Sequence, residues 1–167
     1  MLFLCYNKFG DFMENVYVRK AKIKDLDSII DLASQLWETE QVFNSNLADF
    51  YYKTKEGTRG LKKDIRNRDM IFLVAVINNN VIGFLNGYIN KGSAYKNKIA
   101  HLDRLCVDKP YRNRGVSRLL LETFETQLKK SEVGSIRLNA FEKNIPAVSF
   151  YKKEGFYEYS TTYMKKL

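Results

Sequence analysis

The chain has 167 residues, 45% of them hydrophobic, with 28 Lys+Arg against 19 Asp+Glu and a net charge of +9. That length suits one domain with one well-buried core, and nine Gly, two Pro and 14% aromatic residues exclude a disordered or low-complexity chain. No apolar run approaches the ~20 residues that cross a bilayer, and two cysteines with one histidine exclude a disulfide framework and a Cys/His zinc cluster.

The apolar start, Met1 to Tyr6, is cut off by Asn7 and Lys8. It has no basic stretch ahead of it and no small-residue cleavage pattern, so a cytoplasmic setting is expected rather than a secretory one. Residues 1–12 look detached from the patterned chain beyond them and are expected to be an N-terminal extension. A single domain over 13–167 would then begin at Met13.

Val16–Arg19 alternates as a strand and leads to Asp25, a helix-capping residue type. Leu26, Ile29, Ile30, Leu32, Ala33, Leu36 and Trp37 then recur at helical spacing. A second, more polar helix is expected within 46–67, interrupted near Gly57 and Gly60. Ile71–Ile77 and Val81–Tyr88 flank Asn78-Asn79-Asn80, a hairpin turn by chemistry because Asn tolerates positive φ.

Lys98–Val107 reads as a further strand. A turn through Asp108–Arg114 leads to a helix over about 115–130, with Val116, Leu119, Leu120, Phe124 and Leu128 on one face. Ser135–Phe141 is expected as a strand, and Pro146 suits the first turn of a short helix reaching Lys153. Short strands near Phe156–Tyr159 and Tyr163–Lys166 would close the sheet. Hairpins mixed with strand-helix-strand crossovers predict an α/β fold, a mixed sheet with helices on both faces.

The informative segment is the strand ending at Val107, then a basic turn, then a helix. Its turn reads Asp108-Lys109-Pro110-Tyr111-Arg112-Asn113-Arg114-Gly115-Val116-Ser117. A helix start presents about four unpaired backbone N–H groups and the positive end of the helix dipole, which suits phosphate oxygens. Gly115 lets the backbone approach closely, while Lys109, Arg112, Arg114 and Arg118 add charge. A single glycine equally permits an ordinary turn with solvated cations, and its spacing matches neither a Walker loop nor a dinucleotide fingerprint.

Downstream stands Asn144-Ile145-Pro146-Ala147-Val148-Ser149-Phe150-Tyr151-Lys152-Lys153-Glu154-Gly155-Phe156. Here the chain resembles the GNAT superfamily of acyl-CoA-dependent N-acetyltransferases. That family carries a Q/R-x-x-G-x-G/A turn after a strand, met here by Leu105-Cys106-Val107 and then Arg112, Gly115 and Ser117. Its second motif is matched at Asn144, Ala147, Phe150, Tyr151, Gly155 and Phe156. Val18-Arg19-Lys20-Ala21 also looks like the family's first strand, so the resemblance runs over about 16–167. Ser117 departs from the usual Gly or Ala but keeps its backbone N–H.

The resemblance implies acetyl-CoA as cofactor and a primary amine as acceptor, with direct transfer and no covalent enzyme intermediate. Leu105, Cys106 and Val107 would pair through their backbone with the pantetheine arm where two parallel strands splay. Arg112, Asn113, Arg114, Gly115, Val116 and Ser117 would hold the pyrophosphate, and Asn144 and Tyr151 would complete the cofactor site. Tyr151 would be the general acid toward the leaving thiolate. Full transfer from a tyrosine of pKa ~10 to a thiol of ~8.5 is uphill by about 2 kcal/mol, so hydrogen bonding matters as much.

An acceptor of pKa ~10.4 costs about 4.6 kcal/mol to deprotonate at pH 7. His101 and Asp103, expected on the same face of the strand as Leu105 and Val107, and water are the candidates for the base. Trp37, Glu38 and Glu40 end the first predicted helix and are candidates to hold a cationic amine. A basic nucleic-acid-binding module is the rival reading of the charge. No zinc-finger or RNP signature supports it, and the basic residues are spread along the chain, so no nucleic acid is expected. An acyl-CoA-binding domain without turnover is a further alternative, a membrane partner is not expected, and a homodimer is in keeping with the family.

Overall fold

The computed structural model describes residues 13, 15–90, 92 and 96–165; the expected extension, residues 1–12, lies outside them. Five strands, β1 (Tyr17–Lys20), β2 (Met70–Ile77), β3 (Asn80–Ile89), β4 (Lys98–Val107) and β5 (Val133–Arg137), form one sheet in that spatial order. The helices are α1 (Leu26–Gln41), α2 (Lys55–Arg66), α3 (Val116–Lys129) and α4 (Ile145–Lys153). β1 to β4 pair antiparallel, and β4 pairs parallel with β5, so the sheet is mixed as expected.

Local chemistry accounts for the elements. Asn78 and Asn79 take φ of 47° and 64°, and Ile77 pairs with Asn80. This is the two-residue turn with positive φ at both positions that the sheet's right-handed twist favours. β2 is apolar along nearly its whole length because both faces are covered. On one face α3 buries Val116, Leu120, Leu121, Phe124 and Leu128 against Leu73, Leu85, Ala100 and Leu102. On the other, α1 supplies Ile29, Leu32 and Ala33 and α2 supplies Leu61 and Ile65, packed on Phe72, Val74, Val76 and Phe84. Helices therefore lie on both faces.

Asp25 does not cap α1 through its side chain. Its carboxylate takes two hydrogen bonds from Arg19 at 2.7 and 2.8 Å and the Lys22 backbone N–H at 2.8 Å, tying β1 to the entry of α1.

Three expectations are corrected. α2 runs unbroken through Gly57 and Gly60. Gly57 is where the helix meets the preceding turn, since a Cβ there would overlap the Tyr51 carbonyl, so the glycine permits packing rather than breaking the helix. β5 begins at Val133 and ends at Arg137, earlier at both ends than the expected Ser135–Phe141. Residues 156–165 carry no strand among the described residues. Their alternating aromatic pattern is not answered by a partner edge: Tyr157 and Tyr163 face solvent, and Tyr159 lies under the Arg137 guanidinium, 4.9 Å from its ring centroid. Among the described residues no helix is long and apolar enough to cross a membrane.

Candidate active site

The site grows from two irregularities in β4. The first is a bulge: Asn86 pairs with Arg104 and Gly87 with Leu102, leaving Asp103 as an extra residue. The bulge reverses the side-chain alternation. Leu105 and Val107 join the α3 side of the sheet, whereas His101 stacks on Tyr88 (centroids 5.1 Å, interplanar 8°) and Arg104 lies over the Tyr52 ring on the α1/α2 side. His101 and Asp103 therefore do not share a face with Leu105 and Val107; an extra residue shifts a period-two pattern by one.

The second irregularity is a splay. β4 pairs with β5 only from Lys98 to His101, opposite Val133 to Arg137. From Leu102 to Val107 that edge of β4 has no strand beside it among the described residues. Main-chain donors and acceptors on an unpaired edge can accept an extended ligand as an added strand. The side chains of Leu105, Cys106 and Val107 are core or partly core, so only their backbone faces this opening. Burial pushes the Cys106 thiol up to about 12, and its Sγ lies 3.2 Å from the Leu32 carbonyl.

The edge leads into the basic turn. Asp108 is held by its N–H to the Ile82 carbonyl (2.9 Å) and by Gln35 Nε2 on its Oδ1 (2.9 Å). Asn113 and Gly115 take φ of 60° and 87°, a left-handed conformation natural to both residue types. Gly115 is the N-cap of α3, and its carbonyl accepts from Leu119. The amides of Val116, Ser117 and Arg118 thus stand in the first turn with no intrahelical acceptor. Fourteen residues of helix dipole lie behind them. This donor set fits a diphosphate.

The cations are less available than their number implies. Arg112 turns inward, with Nε on the Val107 carbonyl at 2.9 Å, and so fixes the turn to the strand. Arg118 makes a two-pronged ion pair with Glu154 (2.7 and 3.0 Å), which ties the start of α3 to the end of α4.

α4 presents Tyr151. Asn144 is its N-cap, with Oδ1 accepting the Ala147 N–H at 3.3 Å, which leaves the side-chain Nδ2 outside the cap. The Tyr151 ring packs against Phe150 (5.3 Å) and Phe156 (5.6 Å). Burial of its hydroxyl, reinforced by the charge of Glu40, pushes its pKa up to about 12.

On the α1/α2 side of the sheet lies an open cleft of about 360 Å³ lined by Trp37, Glu40, Tyr52, Asp64, Asp103 and Arg104, among others. Trp37 stacks on Tyr51 at 5.0 Å and donates from Nε1 to the Ala48 carbonyl at 2.7 Å, fixing the aromatic wall. Arg104 Nη2 is 2.6 Å from both Asp64 and Asp103, and Asn86 Nδ2 is 3.2 Å from Asp103. Glu40 faces the cleft, whereas Glu38 lines a separate pocket of about 60 Å³. Tyr52, Asp64 and Arg104 were not identifiable as cleft residues from sequence; they lie 12 to 64 positions from Glu40 and carry no motif.

Comparison with known proteins is consistent with this geometry. The family model for the acetyltransferase (GNAT) family matches residues 30–156. A spermidine N(1)-acetyltransferase of Thermoplasma acidophilum is 29% identical over 149 residues, 85% of this chain and 88% of its own. An L-amino acid N-acetyltransferase of Escherichia coli is 28% identical over 151 residues, 86% of this chain and 84% of its own. The structure of the PaiA N-acetyltransferase from Thermoplasma acidophilum in complex with coenzyme A shares the fold, with TM-score 0.72 and 26% identity over 88% of this chain and 92% of that one. The chain belongs to the acetyltransferase (GNAT) family and is an acetyl-CoA-dependent N-acetyltransferase.

Proposed function

We propose that the amine acceptor enters through the Trp37–Arg104 cleft and that acetyl-CoA lies along the open edge of β4 with its diphosphate at the start of α3. The observation that carries this reading is the continuity of the two donor sets: the unpaired edge from Leu102 to Val107 runs directly into the Gly115 turn. The coenzyme A complex of the Thermoplasma relative supports it.

The backbone of Leu105, Cys106 and Val107 would bind the pantetheine arm, joined by Asn144 through Nδ2. The amides around Arg112, Asn113, Arg114, Gly115, Val116 and Ser117 would hold the diphosphate. Bound acetyl-CoA supplies the thioester that the amine attacks and the thiolate that leaves. Backbone N–H groups of the Leu105–Val107 edge are donors for negative charge developing on oxygen. Tyr151 would hold a proton toward the departing thiolate. A hydroxyl pKa of about 12 against a thiol of ~8.5 makes complete transfer uphill by about 5 kcal/mol, so Tyr151 acts as a hydrogen-bond donor to the leaving group. Cys106, buried and held protonated, has no thiolate to carry an acetyl group, which favours direct transfer. As a free thiol it also suits a reducing, cytoplasmic compartment.

Three carboxylates against one guanidinium, beside aromatic rings, suit a cationic amine in the cleft. Thiol release from acetyl-CoA with a panel of spermidine, lysine and a peptide with a free N-terminus tests the proposal. Release with at least one amine, together with a thermal shift by coenzyme A, is expected. No response to millimolar coenzyme A would overturn it.

A further inference from the structure

Deprotonation of the acceptor needs a base, and the cleft contains three carboxylates in different states. Asp103 Oδ2 already accepts from Arg104 Nε at 2.8 Å, Arg104 Nη2 at 2.6 Å and Asn86 Nδ2 at 3.2 Å. Asp64 Oδ2 accepts from Arg104 Nη2 at 2.6 Å. In both carboxylates Oδ2 is therefore already engaged as an acceptor by Arg104, which also holds the side chain in place. His101 is stacked on Tyr88 and does not line the cleft, and Glu38 belongs to the other pocket.

Glu40 differs from all of them. It is half-buried at the C-terminal end of α1 and lines the cleft, yet its side chain makes no hydrogen bond or ion pair among the described residues. Its charge is felt both by Tyr52, which lines the cleft, and by Tyr151, the candidate leaving-group donor.

We infer that Glu40 is the catalytic base of the transfer reaction, taking a proton from the acceptor ammonium in the cleft. This role rests on the proposed use of the cleft by the acceptor. One ammonium proton passes to the Glu40 carboxylate and from there to solvent, which frees the nitrogen lone pair. The N–C bond then forms and the C–S bond breaks, with its electron pair remaining on sulfur. The second proton lost from nitrogen ends on that sulfur as the thiol.

The surroundings suit the role. Burial, with the charge of Asp103, holds the Glu40 carboxyl above its ordinary range while Arg104 pulls the other way. The other charged or titratable groups facing it are Asp64 across the cleft, Tyr52, Tyr151 and the Cys106 thiol. A base raised toward neutrality is better matched to proton abstraction near pH 7.

The test compares the wild-type chain with Glu40→Gln and Glu40→Asp. Turnover is followed from pH 6 to 10 on spermidine, on lysine and on a peptide with an α-amine of pKa ~7.8. For Glu40→Gln, kcat on the strongly basic amines should fall about 100-fold at pH 7. The loss should shrink as pH approaches the amine pKa and be several-fold smaller for the α-amine. Coenzyme A affinity and Tm should stay near wild type, and Glu40→Asp should recover part of the rate. An equal loss on every amine at every pH, a change confined to KM, or unchanged kcat would overturn the assignment. Absence of transfer by the wild-type chain itself would instead overturn the proposed acceptor site, and with it this role.

Discussion

The Phe156 N–H donates to the Tyr151 carbonyl at 3.0 Å, spanning the end of α4. Gly155, at φ 88°, makes that reversal possible. It brings the Phe156 ring edge-on to the Tyr151 ring, with centroids 5.6 Å apart. The helix terminus thus acts as a clamp on the candidate donor, and the spacing of Tyr151, Gly155 and Phe156 in the sequence is the spacing that this cap requires.

Tyr151→Phe should lower kcat by about 10- to 100-fold, the worth of one hydrogen bond to a charged group, while coenzyme A affinity changes by less than about twofold. Because burial and then Glu40 push the hydroxyl up to about 12, the wild-type rate should show no alkaline loss from this tyrosine below about pH 11. Steady-state rates and calorimetric titration with coenzyme A check both points.

Gly115 sits at φ 87°, and a Cβ there would meet only Met13 at ordinary contact distance. Backbone strain, not crowding, should therefore dominate a substitution. Gly115→Val should cost about 1–2 kcal/mol and weaken coenzyme A binding roughly tenfold or more by deforming the amide-rich turn. Gly115→Asn should be milder on both counts, because Asn tolerates this conformation. Thermal unfolding and calorimetry with coenzyme A distinguish the two variants.

The Asp64–Arg104–Asp103 network should be visible in stability. Arg104→Met leaves two carboxylates without their guanidinium partner. Breaking a fully buried pair costs about 3–5 kcal/mol. Asp103 is 42% exposed and regains water, so about 2 kcal/mol is expected here. Adding Asp64→Asn to Arg104→Met should recover part of that loss in urea unfolding. Simple additivity of the two substitutions would refute the coupling.

Asp25 should matter through pH. Hydrogen bonds from Arg19, and less strongly from the Lys22 N–H, hold its carboxyl below the ordinary range against the opposing effect of burial. A folded pKa below the unfolded ~3.9 means that the contribution is full above that value and disappears as pH falls through the folded pKa. Asp25→Asn should be less stable than wild type at pH 7, and the difference should close progressively below about pH 4. Melting curves across pH 2–7 measure it.

Local chemistry made much of the molecule legible from sequence. Asn78-Asn79 dictated a hairpin because few residues accept positive φ. The stripe from Val116 to Leu128 dictated a helix because one face had to be buried. The turn at Gly115 was legible as a helix start from its glycine and basic residues, whereas Tyr151 was singled out by the resemblance of residues 144–156 to the family's motif. Strand alternation in 156–165 misled because a strand also needs a partner edge, and none among the described residues takes that segment into a ladder.

What the chain order could not contain was decided in three dimensions. The extra residue at Asp103 exists only as a mismatch between β3 and β4, and that mismatch separates His101 from the face of Leu105. The opening beside Leu102–Val107 depends on where β5 stops pairing. Glu40 differs from Asp64 and Asp103 because Arg104 reaches those two and leaves Glu40 without a hydrogen-bond or ion-pair partner among the described residues. Residue type establishes which groups can titrate. Which of them is left without a partner in the cleft depends on neighbours brought together from distant parts of the chain.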